Sequence, residues 1–272
     1  AHAYVAEQLA GCLADGQTVI VCPGATGGAL EFRTIWDKAG CQAKVRLCET
    51  NSLFYAARAH DAIATISGVK DELSLAALPA CDTQAIIDDL ADVYPQLIPA
   101  ANVLETSLNN MNTVVHPLPV LLNAGRIESG EKFRHYFDGI TPAIGDVVEQ
   151  LDQERVAVGK AYGLDILSLR DAYVHYYHCQ AERMSDLCHM AEAHANIMAP
   201  GVLDSRLVME DVPMGLVPIA ELGKAAGVPT PIMDAVITLC GALVKRDFRK
   251  EGRTLESLGI AGLDRDGLLA KL

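Results

Sequence analysis

Residues 17–28 read QTVIVCPGATGG, and this stretch decides the fold class. Residues 17–22 are mostly apolar and β-branched, which is typical of a buried strand, and a turn at Pro23 and Gly24 ends them. The following segment, 29–38, has the apolar periodicity of a helix that stops at Gly40. A buried strand, a tight turn and a helix in this order predict part of a βαβ unit.

The alternation continues on both sides of this stretch. An amphipathic helix is predicted over 3–13, and further strands are predicted over 44–48 (KVRLC) and 62–67 (AIATIS). Strands separated by helices of this length indicate a parallel sheet.

After Pro79 the long periodic segments are helical and are punctuated by proline and glycine. They cover 84–93, 101–110, 144–162, 181–195, 216–226 and 231–244. We therefore predict an α/β fold: a partial Rossmann-type parallel sheet over 1–80, followed by a mainly α-helical domain over 81–272.

Composition excludes several classes of protein. Half of the 272 residues are apolar and the formal net charge is −13, so a sizeable core is expected and a nucleic-acid or anionic membrane surface is not. Acidic or basic residues interrupt every apolar run before the roughly 18 residues that span a bilayer. The first residues lack the basic and apolar regions of a signal peptide, so a cytoplasmic location is expected.

The eight cysteines lie mostly in apolar contexts and are interpreted as reduced core thiols.

His116 is the first candidate for chemistry, in the segment VHPLPV at 115–120. Pro117 disfavours helical backbone at His116, whereas proline is tolerated at the first position of a helix. The sequence therefore places His116 at the mouth of a helix over 119–127, where an imidazole could exchange protons near neutral pH. The alternative is a histidine whose ring nitrogens merely cap backbone groups.

Arg206 and Asp211 form a second constellation in SRLVMEDVP. A guanidinium can hold a substrate carboxylate through two parallel hydrogen bonds, and an aspartate can orient a protonated imidazole. A solvated surface pair is the alternative.

Two other groups of residues have side chains of the types that bind substrates or metals. Glu49 follows the strand KVRLC, at the sheet edge where parallel sheets contact ligands, which suggests a substrate-binding role; a turn or helix cap at Thr50 or Asn51 is the alternative. The histidines and cysteines between 175 and 194 lack the paired spacing of structural zinc sites, so no metal site is predicted.

Several long motifs resemble the opine dehydrogenase family, which includes octopine and nopaline dehydrogenases. In chain order they are NNMNTVVHPLPVLLNAGR (109–126), RLVMEDVPMGLVPIAELG (206–223), GVPTPIMDAVI (227–237) and GRTLESLG (252–259). The earlier segments AHAYVAE (1–7) and DGQTVIVCPGATGGALEFR (15–33) are similar to the later part of that family's nucleotide-binding domain.

The resemblance implies an oxidoreductase that uses NAD or NADP, with a helical domain related to that of phosphogluconate dehydrogenase. Such enzymes condense an amino acid with an α-keto acid, often pyruvate, and reduce the resulting imine. By this analogy His116 is the general acid/base, Asp211 pairs with it, and Arg206 clamps the keto-acid carboxylate. In the glycine-containing loop, Pro23, Gly24 and Thr26 would contact the nicotinamide side of the cofactor.

One departure from the family pattern matters for activity. No G-x-G-x-x-G follows a strand in this chain, so the pyrophosphate site of the cofactor is missing. We therefore expect an N-terminally truncated sequence that binds dinucleotide poorly and is inactive by itself. The alternatives are a ketopantoate-type keto-acid reductase and a non-catalytic helical remnant. The expected partners are small-molecule substrates, with no nucleic acid or membrane, and a homodimer is compatible with the sequence.

Overall fold

A computed structural model describes residues 1–272, apart from the side chains of Ala56, Arg58, Ala59, His60 and Ser67. The chain forms two compact units. The first comprises Ala1–Asn110 together with Leu255–Leu272, and the second is Met111–Thr254. The sequence-predicted boundary at residue 80 lies inside the first unit, because the chain after it adds another strand and helix to the same sheet.

The first unit contains six strands, which are β1 (Thr18–Val21), β2 (Arg46–Thr50), β3 (Tyr55–His60), β4 (Ile63–Val69), β5 (Leu73–Leu78) and β6 (Leu97–Pro99). Its helices are α1 (His2–Leu9), α2 (Gly28–Lys38), α3 (Thr83–Leu90), α4 (Val103–Leu108) and, from the end of the chain, α15 (Arg265–Lys271).

Four strands form one sheet in the order β1-β2-β5-β6. The β1–β2 and β5–β6 pairs are parallel and are connected through α2 and α3, whereas β2 and β5 are antiparallel. The predicted α/β class, with a parallel-containing sheet followed by a helical part, is confirmed. The strand predicted over 44–48 is observed two residues later, as β2.

The third predicted strand, 62–67, does not join this sheet. It corresponds to β4, which pairs antiparallel with β3 in a separate two-stranded sheet. The neighbour of β2 is instead β5, with Cys48 opposite Ala77. An antiparallel neighbour needs no crossover helix, so the sequence signal of alternating strands and helices does not reveal it.

The core of the first unit lies where α3 covers the sheet. It is formed by Cys48, Leu73, Leu75, Ala77, Ile86, Ile87 and Leu97. A second contact is made by α1 against α2, where the indole Nε1 of Trp36 donates to the carbonyl oxygen of Ala6 at 3.0 Å.

The second unit is helical. Its helices are α5 (Asn112–Val115), α6 (Pro117–Leu122), α7 (Ala124–Glu128), α8 (Pro142–Ala161), α9 (Leu169–Tyr177), α10 (Met184–Met190), α11 (Arg206–Met209), α12 (Val217–Ala225), α13 (Pro231–Val244) and α14 (Phe248–Glu251). A π-helical turn, Val212–Leu216, connects α11 to α12.

The helix α8 is central to this unit, since α6, α10, α12 and α13 all pack against it. Within α8, the fully buried guanidinium of Arg155 pairs with Asp152 at 2.6 Å and also donates to the carbonyl oxygen of Leu167. The other carboxylate oxygen of Asp152 accepts the backbone N–H of Leu169. Because both charges are paired and hydrogen-bonded, they tie the start of α9 to α8.

The helix predicted over 231–244 is observed with these bounds. The one predicted over 181–195 is shorter: α10 ends at Met190, and a single 3-10 turn, Glu192–His194, follows after extended backbone at Ala191. The break places His194 on a turn rather than on a helix. No described helix is both long and apolar enough to cross a membrane.

Candidate active site

His116 lies between two short helices of the second unit. It ends α5 and precedes Pro117, the first residue of α6, so the predicted position at the mouth of a helix is observed. Its backbone is nevertheless in the helical region, at φ −104° and ψ −66°, because its N–H still donates to Asn112. The predicted helix over 119–127 breaks at Asn123, whose side-chain amide donates to the carbonyl oxygens of Pro119 and Gly139.

The imidazole of His116 pairs with the carboxylate of Asp211. Nδ1 lies 2.7 Å from Oδ2, although the two residues are 95 positions apart in the chain. The two side chains are 17% and 18% exposed, so the pair is shielded but reachable from solvent. Since a carboxylate only accepts hydrogen bonds, Nδ1 carries the proton and Nε2 is the nitrogen that can exchange one.

The second ring nitrogen of His116 has a partner that the sequence did not reveal. The hydroxyl of Tyr136 lies 2.9 Å from Nε2. Tyr136 belongs to the loop between α7 and α8. The loop requires a glycine at Gly139, because a Cβ there would overlap the carbonyl oxygen of His135. In the neutral imidazole, the Tyr136 O–H donates to Nε2.

Further rings surround this pair. The buried imidazole of His135 contacts the carbonyl oxygen of Val115 through Nε2 at 2.9 Å, which anchors the backbone next to His116. Burial lowers the pKa of His135 from 6.5 to about 4, so its ring is neutral and donates this bond. On the other side, His194 stacks on Tyr136 with ring centroids 4.2 Å apart, and the Tyr173 hydroxyl lies 3.0 Å from its Nδ1.

The backbone of Arg206 is close in the chain to Asp211, but its side chain points to solvent and pairs with another residue. It begins α11, whose chain leads directly to Asp211, but its side chain is 84% exposed and pairs with Glu210 at 2.8 Å. The hydrogen bond to Glu210 raises the pKa of the Arg206 guanidinium, and the nearby charge of Asp211 contributes a smaller increase. The guanidinium is therefore free to turn towards a ligand at the cost of an exposed ion pair.

Next to Arg206 in the chain, the hydroxyl of Ser205 is buried without a hydrogen-bond partner in the described part of the protein. Buried hydroxyls normally have partners, so this hydroxyl is an exception.

Glu49 lies in the first unit and is fully buried at the end of β2. One carboxylate oxygen accepts the backbone N–H of Ala29, in the first turn of α2, at 2.7 Å. The other accepts the hydroxyls of Thr106 and Ser107, in α4, at 2.7 and 2.8 Å. The carboxylate thus ties β2, α2 and α4 together, and no surface of Glu49 is open to a substrate in this structure.

The loop predicted to contact the cofactor runs from β1 into α2. A Cβ on Gly24 would overlap the Glu49 carboxylate, which explains the glycine. Thr26 is fully buried and donates to the carbonyl oxygen of Ser107, whereas Pro23 is partly exposed. The N–H of Gly27 donates to the Ser107 hydroxyl, so protein groups already occupy two amides at the start of α2.

No group of three or more potential metal ligands is found among the described side chains. The cysteines are all unpaired, and burial raises the pKa values of Cys48, Cys188 and Cys240 to about 12, so these thiols stay protonated.

Sequence reasoning missed His135 and Tyr136, which contact His116, and did not predict that His194 stacks on Tyr136 and that Tyr173 contacts His194. The adjacent His135 and Tyr136 in FRHYFDG were the available signal, but aromatic residues beside histidine are common in cores. The contact of Tyr136 with His194 depends on the fold, since 58 positions separate them.

Comparison with known proteins places this arrangement in a family. Residues 99–244, more than half of the chain, match the family described as "NAD/NADP octopine/nopaline dehydrogenase, alpha-helical domain". The chain is 42% identical over 268 residues to an opine dehydrogenase of Arthrobacter sp. (strain 1C), covering 98% of this chain and 74% of that protein. It is 28% identical to a vitopine synthase of Allorhizobium ampelinum, covering 80% of this chain and 61% of that protein.

A solved octopine dehydrogenase, bound to NADH and L-arginine, shares the fold with a TM-score of 0.79 at 20% identity; the match covers all of this chain and 75% of that one. The chain therefore spans about three quarters of the length of the Arthrobacter relative and somewhat less of the vitopine synthase. By the family match and by its identity to the Arthrobacter enzyme, this chain belongs to the opine dehydrogenase family of NAD(P)-dependent oxidoreductases.

Proposed function

We propose that the protein condenses the amine of an amino acid with an α-keto acid such as pyruvate and reduces the resulting imine to a secondary amine, an opine. The observation that carries this proposal is the 2.7 Å pair of His116 and Asp211 in the family's helical domain. The proposal fits the Arthrobacter relative, which is an opine dehydrogenase.

The His116–Asp211 pair would supply the proton transfers. Condensation moves the two protons of the attacking amine to the keto oxygen, one when the amine adds and one when the oxygen leaves as water. Reduction of the imine adds a hydride to carbon and a proton to nitrogen, which gives the secondary amine of the opine. Nε2 of His116 exchanges these protons, and Asp211 stabilises the imidazolium that forms.

Arg206 would hold the keto-acid carboxylate. Its guanidinium can exchange the exposed Glu210 for a substrate carboxylate because a surface ion pair contributes only about 0–1 kcal/mol. Glu49 has no exposed surface, so its predicted substrate contact is not part of this proposal.

The fit of the chain to a dinucleotide is restricted to one side of the cofactor. Pro23 is partly exposed on the β1–α2 loop and could contact the nicotinamide ring, whereas the next residue, Gly24, is buried. Thr26 is buried, and Glu49 and Ser107 occupy amides at the start of α2 that would otherwise bind phosphate. When bound, NAD(P)H supplies the hydride.

The test is an oxidation assay of NADH and of NADPH by the complete gene product, with pyruvate and each of the common amino acids. We expect turnover only when keto acid and amino acid are both present, and an opine with one new C–N bond in the product mixture. Equal turnover without any amino acid would instead indicate a keto-acid reductase. Absence of dinucleotide binding would indicate a non-catalytic protein.

A further inference from the structure

Tyr136 contacts the one nitrogen through which His116 can exchange a proton. Its hydroxyl lies 2.9 Å from Nε2, while Asp211 holds Nδ1 at 2.7 Å on the other side of the ring. Both nitrogens of the imidazole are therefore fixed by protein groups. A ring bound at one nitrogen can still swing about that bond, whereas a ring bound at both cannot.

A phenol hydroxyl suits this place because it can either donate or accept a hydrogen bond. It donates to Nε2 when the imidazole is neutral and accepts from the Nε2–H when the imidazole is charged. His116 can thus gain and lose a proton without any movement of its ring, and only the hydroxyl hydrogen turns. Neither a carboxylate nor an ammonium group could serve both states.

The ring of Tyr136 is itself held in position. It is buried, stacks on His194 at 4.2 Å with an interplanar angle of 14°, and meets His135 edge to face at 4.8 Å. The Tyr173 hydroxyl, 3.0 Å from His194 Nδ1, fixes that ring in turn. Burial raises the pKa of Tyr173 well above its ordinary value, so its hydroxyl stays protonated and can donate this bond.

We propose that Tyr136 is a positioning residue for the reaction: clamped by His194, it holds His116 Nε2 in one orientation in both of its protonation states. This inference rests on the proposed role of His116, but the orientation of the His116 imidazole can be measured even when no substrate is bound. The ring is thus already held in one orientation when a substrate oxygen displaces the Tyr136 hydroxyl from Nε2, which is the advantage of a preorganised site.

The first experiment observes the imidazole directly in the ligand-free protein. Histidine is labelled with ¹⁵N, and the His116 signals are assigned by their loss in His116→Gln. Tyr136→Phe removes the hydroxyl and keeps the ring. We expect the Nε2 resonance of neutral His116 to move downfield, because the nitrogen has lost its hydrogen-bond donor.

The matched control is Tyr162→Phe. Tyr162 is equally buried, lies in the same unit and donates its hydroxyl to the carbonyl oxygen of Leu222 at 3.0 Å. Both variants lose one buried tyrosine hydroxyl, so we expect similar decreases in Tm. Only Tyr136→Phe should move the His116 signal.

The second experiment measures opine formation. We expect Tyr136→Phe to lower kcat about tenfold and to change KM for the keto acid by less than about threefold, since ring orientation affects the transition state more than binding. Tyr162→Phe should retain the kcat of the unmodified protein. A second variant, Tyr173→Phe, loosens the His194 stack and should change the His116 signal and kcat in the same direction by a smaller factor; it also provides the test if Tyr136→Phe does not fold.

The proposal is overturned if the Nε2 resonance is unchanged in Tyr136→Phe, if Tyr162→Phe moves it equally, or if kcat falls no further than in the control. The outcome is separable from that of the proposed function. A shifted His116 signal in a protein that makes no opine would support the positioning role and reject the opine reaction, and the converse result would reject the positioning role alone.

Discussion

Two carboxylates, one in each unit, have contrasting surroundings. Glu49 is fully buried and accepts hydrogen bonds from Ala29, Thr106 and Ser107. The side chain of Asp211 is 18% exposed and pairs with His116. The sequence suggested a role in the site for both. The number of hydrogen-bond donors around a carboxylate and its exposed surface distinguish the two roles. A buried carboxylate with several donors stabilises the fold, whereas a partly exposed one with a single partner can take part in a reaction.

The two carboxylates differ in how much free energy it costs to disturb their hydrogen bonds. Moving Glu49 would leave several buried donors without an acceptor, at a cost of about 1–3 kcal/mol for each group. Asp211 pairs with His116, and solvent reaches both side chains, so a proton can be exchanged at the imidazole without breaking buried hydrogen bonds. Four predictions test this contrast.

The largest effect is expected for Asp211→Asn. The amide can still accept from His116 Nδ1, but it no longer stabilises the imidazolium, so kcat for opine formation should fall by roughly 10² to 10⁴-fold. Steady-state kinetics measure the loss, and thermal unfolding should show nearly unchanged stability. Glu210→Gln, next to it in the chain, is the control and should retain most of kcat. An Asp211→Asn variant with more than half of the original kcat would remove the pair from the mechanism.

Glu49→Ala should chiefly affect stability. Removing an acceptor shared by three buried donors is expected to lower the free energy of unfolding by about 4 kcal/mol, less than the sum of the separate costs because the neighbours relax. Urea unfolding measures the change. Thr106→Val, which removes only one of the donors, should cost about 1 kcal/mol. Equal stability of Glu49→Ala and the unmodified protein would contradict the structural role.

His135 predicts a pH dependence of stability in the second unit. Its folded pKa is about 4 against 6.5 for an unperturbed histidine, so the unfolded chain takes up a proton first as the pH falls. The contribution is fully present above pH 6.5 and is lost progressively towards pH 4, by roughly 3 kcal/mol in total at 1.36 kcal/mol for each pKa unit. Urea unfolding at several pH values should give a flatter profile for His135→Gln, which can still donate to Val115. If the stability of His135→Gln and of the unmodified protein changed with pH in the same way, His135 would not be the source of this pH dependence.

The smallest change in free energy is expected for Arg206→Ala. Loss of a charge-assisted bidentate contact should raise KM for the keto acid by about 10- to 100-fold. Stability should change by less than about 0.5 kcal/mol, because the ion pair with Glu210 is exposed. Arg206→Lys keeps the charge but lacks the planar guanidinium, so its KM for the keto acid should lie between those of the unmodified protein and Arg206→Ala. An unchanged KM in Arg206→Ala would leave Arg206 as a surface residue.

Local signals in the chain predicted those features that depend on neighbouring residues. The helix at Pro231–Val244 follows from apolar periodicity after a first-turn proline, and Pro117 placed His116 at a helix start. The strand β5 was missed because its antiparallel pairing with β2 needs no crossover helix. The 3-10 turn that carries His194 was read as helix because the apolar pattern continues past Ala191.

The sequence by itself determined the α/β-then-helical organisation, the family and the identity of the imidazole, carboxylate and guanidinium, since periodicity and long motifs are properties of the chain alone. Only the tertiary structure decided which of these groups meet. It joined His116 to Asp211 across 95 positions, added Tyr136 and His194, turned Arg206 towards Glu210, and sealed Glu49 among hydroxyls of α4. The physical reason is that a hydrogen bond depends on distance and direction in space, which packing sets and spacing along the chain does not.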